Sequence, residues 1–221
     1  MKTPMKYNFY TVVIALLMVM GTGAAYAQSE TTSDALTPSF GIKGGLNFAN
    51  LYVDNVQSEN NKLGGHIGFF AKWPVSNRVA VQSEILYTNK GSKVSYGNFI
   101  QGSGEYRFNL NYVEVPVMLS VNLMPGFSLN AGGYVAYLAS ANVKDVKSDG
   151  TISGVSNLNA DNFHRFDYGL VGGASFDIKS VTLGARYNYG LQTVGNPGTL
   201  SGDLTQNAKN RVVSIFIGFT L

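Results

Sequence analysis

Residues 112–123 alternate strictly between an aliphatic and a mostly polar set of side chains. The aliphatic set is Val113, Val115, Val117, Leu119, Val121 and Leu123. The intervening set is Tyr112, Glu114, Pro116, Met118, Ser120 and Asn122. Because successive side chains of a β-strand leave opposite faces, this period of two predicts a strand. The aliphatic face carries no charge, whereas a soluble β-sandwich places charges on its outer face. We therefore predict that the aliphatic face is the outer one.

The same alternation recurs along the chain and predicts eight strands. Short turns are predicted at 74–77, 124–126 and 177–180, and long loops at 54–62, 91–106, 142–162 and 195–207. An even number of strands, with short turns at one end and long loops at the other, is typical of outer-membrane β-barrels. The predicted fold is an all-β, eight-stranded, antiparallel, up-and-down transmembrane β-barrel. Both of its termini are expected on the periplasmic side.

Composition agrees with this prediction and excludes several other classes. Charged residues make up 13% of the chain, about half of the usual share, and aromatic residues make up 12%. The absence of cysteine excludes a disulfide framework, a lipoprotein anchor and thiolate metal sites. Basic residues are scattered and exceed acidic ones only slightly, at 16 to 13, so no nucleic-acid partner is predicted.

The beginning of the chain has the pattern of an export signal. Lys2 and Lys6 precede the apolar run 9–20, and Ala25-Tyr26-Ala27 provides the small residues that signal peptidase requires. Cleavage is predicted after Ala27, and the alternative interpretation is an N-terminal membrane anchor. The predicted organisation is a signal peptide at 1–27, a periplasmic lead-in at 28–38 and the barrel at 39–221. Without Lys2 and Lys6 the net charge falls from +3 to about +1.

Aromatic side chains of the outward face gather at both ends of the predicted strands. Near the short turns these are Phe40, Trp73, Phe127, Phe176 and Phe219. Near the long loops they are Phe48, Tyr87, Tyr137, Phe166, Tyr187 and Tyr189. Two aromatic girdles are typical of the two interfaces of a bilayer. No Lys, Asp or Glu interrupts the outward face between them, which argues against a soluble lipocalin-like barrel.

The inward face carries the charges that the outward face lacks. The predicted inward set is Lys43, Lys72, Glu84, Glu114, Asp167 and Arg186. The interior of an eight-stranded barrel is only just wide enough for its side chains, so these groups are expected to form an ion-pair network. Glu84 and Arg186 are the preferred pair because they lie at similar heights. The alternative is a narrow or gated ion path.

No catalytic, cofactor or metal site is predicted. His66 and His164 are the two histidines, and Ser156 and Asp161 share a predicted loop with His164. These residue types could provide a nucleophile and a base, so a lipid-modifying enzyme remains an alternative. The aspartates of the predicted loops do not match a calcium-binding loop.

Several motifs resemble one known family. They are Glu84-Ile85-Leu86-Tyr87 with Lys90-Gly91, Tyr112-Val113-Glu114-Val115-Pro116, Asp167-Tyr168-Gly169-Leu170 and Tyr189-Gly190-Leu191. The chain resembles the porin-family or PorT-like outer-membrane β-barrel proteins of Gram-negative bacteria over essentially its whole mature length. The resemblance implies the barrel fold and the outer membrane, and a role as a secretion accessory protein follows from it alone.

The predicted function is that of a non-enzymatic outer-membrane barrel with a plugged polar lumen. Its exposed loops would serve envelope integrity or surface interaction, with lipopolysaccharide and a protein partner as the expected contacts. Arg211, near the external rim, could meet a lipid phosphate or extend its charged end to water. The alternative function is a small-solute channel.

Overall fold

The computed structural model describes residues 36–53, 61–98, 102–147, 149–157, 163–195 and 208–221. Its strands are β1 (Ser39–Val53), β2 (Lys62–Pro74), β3 (Val79–Asn98), β4 (Gly102–Met124), β5 (Phe127–Lys147), β6 (Ile152–Asn157), β7 (Phe166–Ile178), β8 (Val181–Thr193) and β9 (Ala208–Thr220). The predicted signal peptide, its cleavage site after Ala27 and residues 28–35 of the lead-in lie outside the described residues.

Eight of these strands close into a ring. The order around the ring is β4-β3-β2-β1-β9-β8-β7-β5, and pairing of β4 with β5 completes it. Every pairing is antiparallel, so the predicted eight-stranded, up-and-down barrel is confirmed. The additional strand β6 pairs with the outer part of β5 and lies outside the ring. Within the described ranges, no helix has the length and apolar character needed to cross a bilayer.

Short turns join the ring strands at one end. Residues 75–78 connect β2 to β3, Pro125 and Gly126 connect β4 to β5, and Lys179 and Ser180 connect β7 to β8. Gly126 has a φ of 80°, which a type II turn requires at its third position and which glycine adopts without steric cost. The predicted short turns are therefore confirmed.

The exposure of the side chains confirms which face points outward. Ile67, Val117 and Leu119 are 68%, 51% and 54% exposed, although all three are aliphatic. Glu84 and Glu114 are 0% and 2% exposed, although both are charged. This is the reverse of a soluble barrel, in which polar groups face water and apolar groups fill the interior. The lipocalin-like alternative is wrong for this chain.

Two of the predicted long loops are wrong in large part, because strand pairing continues through them. β3 and β4 stay paired out to Asn98 and Gly102, so most of the predicted loop 91–106 is a β-hairpin. β5 continues to Lys147 and pairs with both β4 and β6, so most of the predicted loop 142–162 is strand as well. Polar residues occur on both faces of these extensions, so apolar alternation is short and broken there. Cross-strand hydrogen bonds stabilise them instead.

Candidate functional site: two charge clusters in the lumen

The first cluster is centred on the carboxylate of Glu84, on β3. Lys43, on β1, donates to its Oε1 over 2.9 Å. Arg186, on β8, donates from Nη1 to Oε2 over 2.8 Å and from Nη2 to Oε1 over 2.6 Å. Gln82 adds a bond to Oε1 over 2.7 Å. Both carboxylate oxygens thus accept charge-assisted bonds, which are the stronger kind.

An aromatic ring closes this cluster on the side of the short turns. The Phe216 ring lies 3.5 Å from Nζ of Lys43 and 5.5 Å from Cζ of Arg186, measured to the ring centroid. Both distances fall within the range in which the ring face attracts a cation. Phe216 shares the inward parity of Ser214 on β9, so alternation could have identified it. Parity does not by itself indicate that an inward aromatic ring contacts cations.

The second cluster is centred on the ammonium group of Lys90, further along β3. Its Nζ lies 2.6 Å from Oε2 of Glu114, on β4, and 3.3 Å from Oδ2 of Asp167, on β7. The ring centroids of Tyr134 and Tyr112 lie 4.4 Å and 5.2 Å from the same atom. Lys90 therefore has two anions and two aromatic faces around it.

Neutral side chains donate further hydrogen bonds to the two acids in this second cluster. Tyr134 donates its hydroxyl to Oδ2 of Asp167 over 3.2 Å, and Asn210 donates to the same oxygen over 3.0 Å. Asn188 donates to Oε1 of Glu114 over 2.8 Å. Such bonds offset part of the cost of burying charge, because a buried polar group without a partner is destabilising.

The two clusters balance each other in charge. The first, of Lys43, Arg186 and Glu84, has a net charge of +1, and the second, of Lys90, Glu114 and Asp167, has a net charge of −1. All six residues are buried. Lys90 was predicted to lie on the inward face but was absent from the predicted ion-pair network. Its inward parity with Glu84 was the available signal.

Lys72, which was predicted to join the network, lies apart from both clusters. It pairs with Asp177 over 3.4 Å, and both side chains are partly exposed. This pair lines a vestibule of about 250 Å³ at the end of the barrel with the short turns. Lys43 and Phe216 form part of the inner wall of the vestibule. The vestibule therefore ends at the first cluster.

Buried apolar side chains also fill part of the lumen, and several of them lie toward the end opposite the short turns. They form one buried group whose largest members are Leu110, Tyr112, Met118, Tyr134, Leu138 and Phe163. Phe163 comes from the segment before β7, and Val194, from the segment after β8, packs in the same group. Backbone bonds hold these segments, since His164 donates to Val194 and Val194 donates to Ala208, over 2.9 and 2.8 Å.

The residues considered for catalysis do not form a described site. The Nδ1 atom of His66 lies 2.8 Å from Oδ1 of Asn47, inside the lumen. Ser156 lies on exposed β6, and Asp161 lies outside the described residues. Across the described ranges, no group of three or more His, Asp or Glu side chains could hold a metal ion.

The residues of the two predicted girdles lie on the outward face, in contact with one another in places. At the short-turn end the rings of Phe40 and Trp73 meet edge to face, with centroids 6.4 Å apart. At the other end Tyr137 and Phe166 are 5.4 Å apart. Tyr187 and Tyr189 are 6.5 Å apart there, and Cζ of Arg211 lies 5.1 Å from the Tyr189 ring. The remaining members are Phe127, Phe176, Phe219, Phe48 and Tyr87, each half-buried or exposed.

Comparison with known proteins gave one family and several solved structures. The family described as "Outer membrane protein beta-barrel domain" matches residues 26–194, more than half of the chain. No curated protein sequence matches.

Three solved structures are similar to the chain. Ail of Yersinia pestis, in complex with the heparin analogue sucrose octasulfate, is 13% identical over 83% of this chain and 99% of that chain, with a TM-score of 0.46. Neisserial surface protein A is 14% identical over 83% and 98%, with a TM-score of 0.48. The translocator domain of the autotransporter NalP from Neisseria meningitidis is 8% identical over 94% and 97%, with a TM-score of 0.24.

Proposed function

Because the chain belongs to the outer membrane protein β-barrel domain family and lies in the outer membrane of a Gram-negative bacterium, we propose that it is a non-enzymatic barrel with a sealed lumen. It acts through its outer surface and its external hairpins, in envelope integrity or in surface interaction. Lipopolysaccharide and a protein partner are the contacts that we propose for these surfaces. The finer resemblance to porin-family or PorT-like proteins stays a prediction.

The observation that carries this proposal is the closed set of ion pairs across the lumen. Three buried cations meet three buried anions at 2.6–3.3 Å, and aromatic rings cover the cations. An ion that entered this region would have to displace a paired charge and leave its partner uncompensated. Removing one partner of a buried pair costs about 3–5 kcal/mol of stability, so the folded barrel favours the paired, filled lumen over an open path.

The girdles set the position of the barrel in the bilayer in this proposal. Phe40, Trp73 and their neighbours lie at the periplasmic interface, and Tyr87, Tyr137 and Phe166 lie at the external one. Aromatic rings favour both interfaces because they combine an apolar body with a polarisable or hydrogen-bonding edge. The extended hairpins of β3, β4 and β5 then rise above the external interface.

Conductance measurements test the sealed lumen. We expect purified mature protein in planar bilayers to show no steady ohmic current, while gel mobility that changes on boiling verifies the folded barrel in the same preparation. Asp149→Asn, in an exposed turn, has the same charge change as Glu84→Gln outside the lumen and is expected to be equally silent. Steady wild-type currents whose ion selectivity changes with Glu84→Gln would overturn the proposal and favour the small-solute channel.

A further inference from the structure

The outward face of β3, β4 and β5 changes from apolar to polar just beyond the external girdle. Tyr87, Val113 and Tyr137 lie opposite one another on the three strands and form the last apolar row. The next outward row consists of Asn89, Asn111 and Ser140. Asn89 donates to Asn111 over 2.6 Å, and Asn111 donates to Ser140 over 2.9 Å. A further row joins Asn109 to Asn142 over 3.0 Å.

A row of three cations lies above these amides on the same face. Lys93 lies directly opposite Arg107, and Arg107 lies directly opposite Lys144. We refer to Lys93, Arg107 and Lys144 as the cationic row. Like charges placed opposite each other on neighbouring strands are destabilising. The hairpins therefore hold together charges that repel one another.

The carboxylate of Glu105 forms ion pairs with two members of the cationic row. Glu105 binds Arg107 and, through Oε2, lies 3.2 Å from Nζ of Lys93. Burial tends to raise the pKa of Glu105, but the bonds from Arg107 and Lys93 outweigh it and hold that pKa below its ordinary value. Within the described ranges, no carboxylate lies within ion-pairing distance of Lys144.

Lys62 lies buried beneath the base of this surface, at a position of inward parity on β2. The ladder between β2 and β3 ends at His66 and Thr88, and the side chain of Lys62 reaches across to β3 beyond that point. It donates to the carbonyl of Lys90 over 3.3 Å and also binds Oδ1 of Asn89. Lys62 is 3% exposed and lies within range of electrostatic repulsion from Arg107 and Lys144. Together with Glu105, these four cations carry a net charge of +3.

We propose that the cationic row binds phosphate groups on the saccharide of an outer-leaflet glycolipid, whose acyl chains lie against the apolar face below, and that buried Lys62 adds positive potential beneath it. This proposal rests on the proposed function for the orientation of the barrel. The row lies six residues beyond Tyr87 and Val113, about 20 Å along each strand at the usual rise per residue. With a strand tilt of about 40°, it stands roughly 15 Å above the external girdle.

That height favours a glycolipid over a simple phospholipid. The polar headgroup layer of a bilayer is only about 5–8 Å thick on each side, so a phospholipid phosphate would lie mainly beside the amide rows. A phosphate carried on a saccharide reaches the cationic row. The amides of Asn89, Asn109, Asn111 and Asn142 then line the path of the sugar hydroxyls, with which they can exchange hydrogen bonds.

Lipid retention measured on the folded protein tests the proposal. The mature protein is purified in detergent, and its affinity is measured for a bis-phosphorylated acylated glucosamine disaccharide and for the same lipid without phosphates. We expect the wild-type protein to bind the phosphorylated lipid more tightly, and we expect this preference to weaken as the salt concentration rises. Each lost cation is expected to reduce affinity about fivefold, so Arg107→Gln with Lys144→Gln should reduce it roughly 30-fold.

Two further variants have different expected effects on affinity. Glu105→Gln removes the competing anion and is expected to increase affinity for the phosphorylated lipid. Lys147→Gln has the same charge change as Lys144→Gln on the same strand, but it lies on the other face and is expected to leave affinity unchanged. Gel mobility before and after boiling verifies that every variant is folded.

Three outcomes would overturn the inference. Equal affinity for the two lipids would exclude phosphate recognition. Equal losses in Lys144→Gln and Lys147→Gln would show attraction by overall charge rather than by the cationic row. A soluble disaccharide bisphosphate without acyl chains that binds as tightly as the lipid would show that the ligand is a free anionic sugar. None of these results depends on lumen conductance, so they are distinguishable from failure of the proposed function.

Discussion

The guanidinium group of Arg186 binds both carboxylate oxygens of Glu84 across the full width of the barrel. Their strands, β8 and β3, are separated by three strands in either direction around the ring, so they face each other across the lumen. The two bonds measure 2.6 and 2.8 Å. A bidentate pair at the centre of an eight-stranded barrel fills space that a conducting pore would need.

Removal of the Glu84 carboxylate should strongly destabilise the barrel. In Glu84→Ala, Lys43 and Arg186 lose their shared anion while both remain buried, and such losses cost about 3–5 kcal/mol. The measurement is urea unfolding in lipid vesicles, followed by gel mobility before and after boiling. Asp177→Ala removes the carboxylate of the partly exposed pair with Lys72 and should cost no more than about 1 kcal/mol. Similar costs for both variants would contradict the importance of burial.

The unequal charges of the two clusters predict unequal effects of two identical substitutions. Lys90→Met leaves Glu114 and Asp167 buried together without a cation, and we expect a loss of about 3–5 kcal/mol. Lys43→Met leaves Glu84 paired with Arg186, so we expect a loss smaller by a factor of two or more. The same unfolding measurement compares them. Equal losses would mean that the lumen charges act as one network rather than as two clusters.

The barrel and its faces could be predicted because the bilayer imposes a simple pattern on each strand. An uncharged outward row and a polar inward row follow directly from a lipid exterior and a filled lumen, as residues 113–123 illustrate. The outer-membrane location predicted with this fold is confirmed by the family match. The pairing of Glu84 with Arg186 could be predicted for the same reason. Parity places both side chains in the lumen, and their similar distance from the short turns places them at the same height.

The extended hairpins and the position of Lys72 could not be predicted in the same way. Beyond the external girdle the apolar alternation is shorter and more broken, so no long apolar row marks the strands that carry Lys93 and Arg107. Their pairing depends on cross-strand partners that a single strand does not reveal. Lys72 has inward parity, but its distance from the lumen centre depends on strand tilt and register rather than on parity alone.

Gly68 is expected to tolerate no side chain because β2 and β3 approach closely beside it. A Cβ atom at this position would lie 1.9 Å from the carbonyl oxygen of Ile85, and a backbone oxygen cannot rotate away. Gly68→Ala should therefore cost at least about 1–3 kcal/mol in unfolding experiments. Gly172→Ala is the control, because the nearest atom to its Cβ would be 3.8 Å away. A neutral Gly68→Ala would show that the strands can separate at little cost.

Val117 tests the lipid-facing surface at the centre of the barrel wall. Val117→Arg places a cation on the outward face about midway along the outward row 113–123, and near the bilayer midplane such a change costs about 2–4 kcal/mol. Val75→Arg is the matched control, because Val75 is similarly exposed, 62% against 51%, but lies in the turn between β2 and β3. There the arginine meets water, and we expect a change in the free energy of unfolding within about 0.5 kcal/mol.

Unfolding in vesicles of defined bilayer thickness measures both variants. Equal tolerance of the two arginines would contradict burial of this face in lipid, whereas a selective loss at Val117 that grows in thicker bilayers would support it.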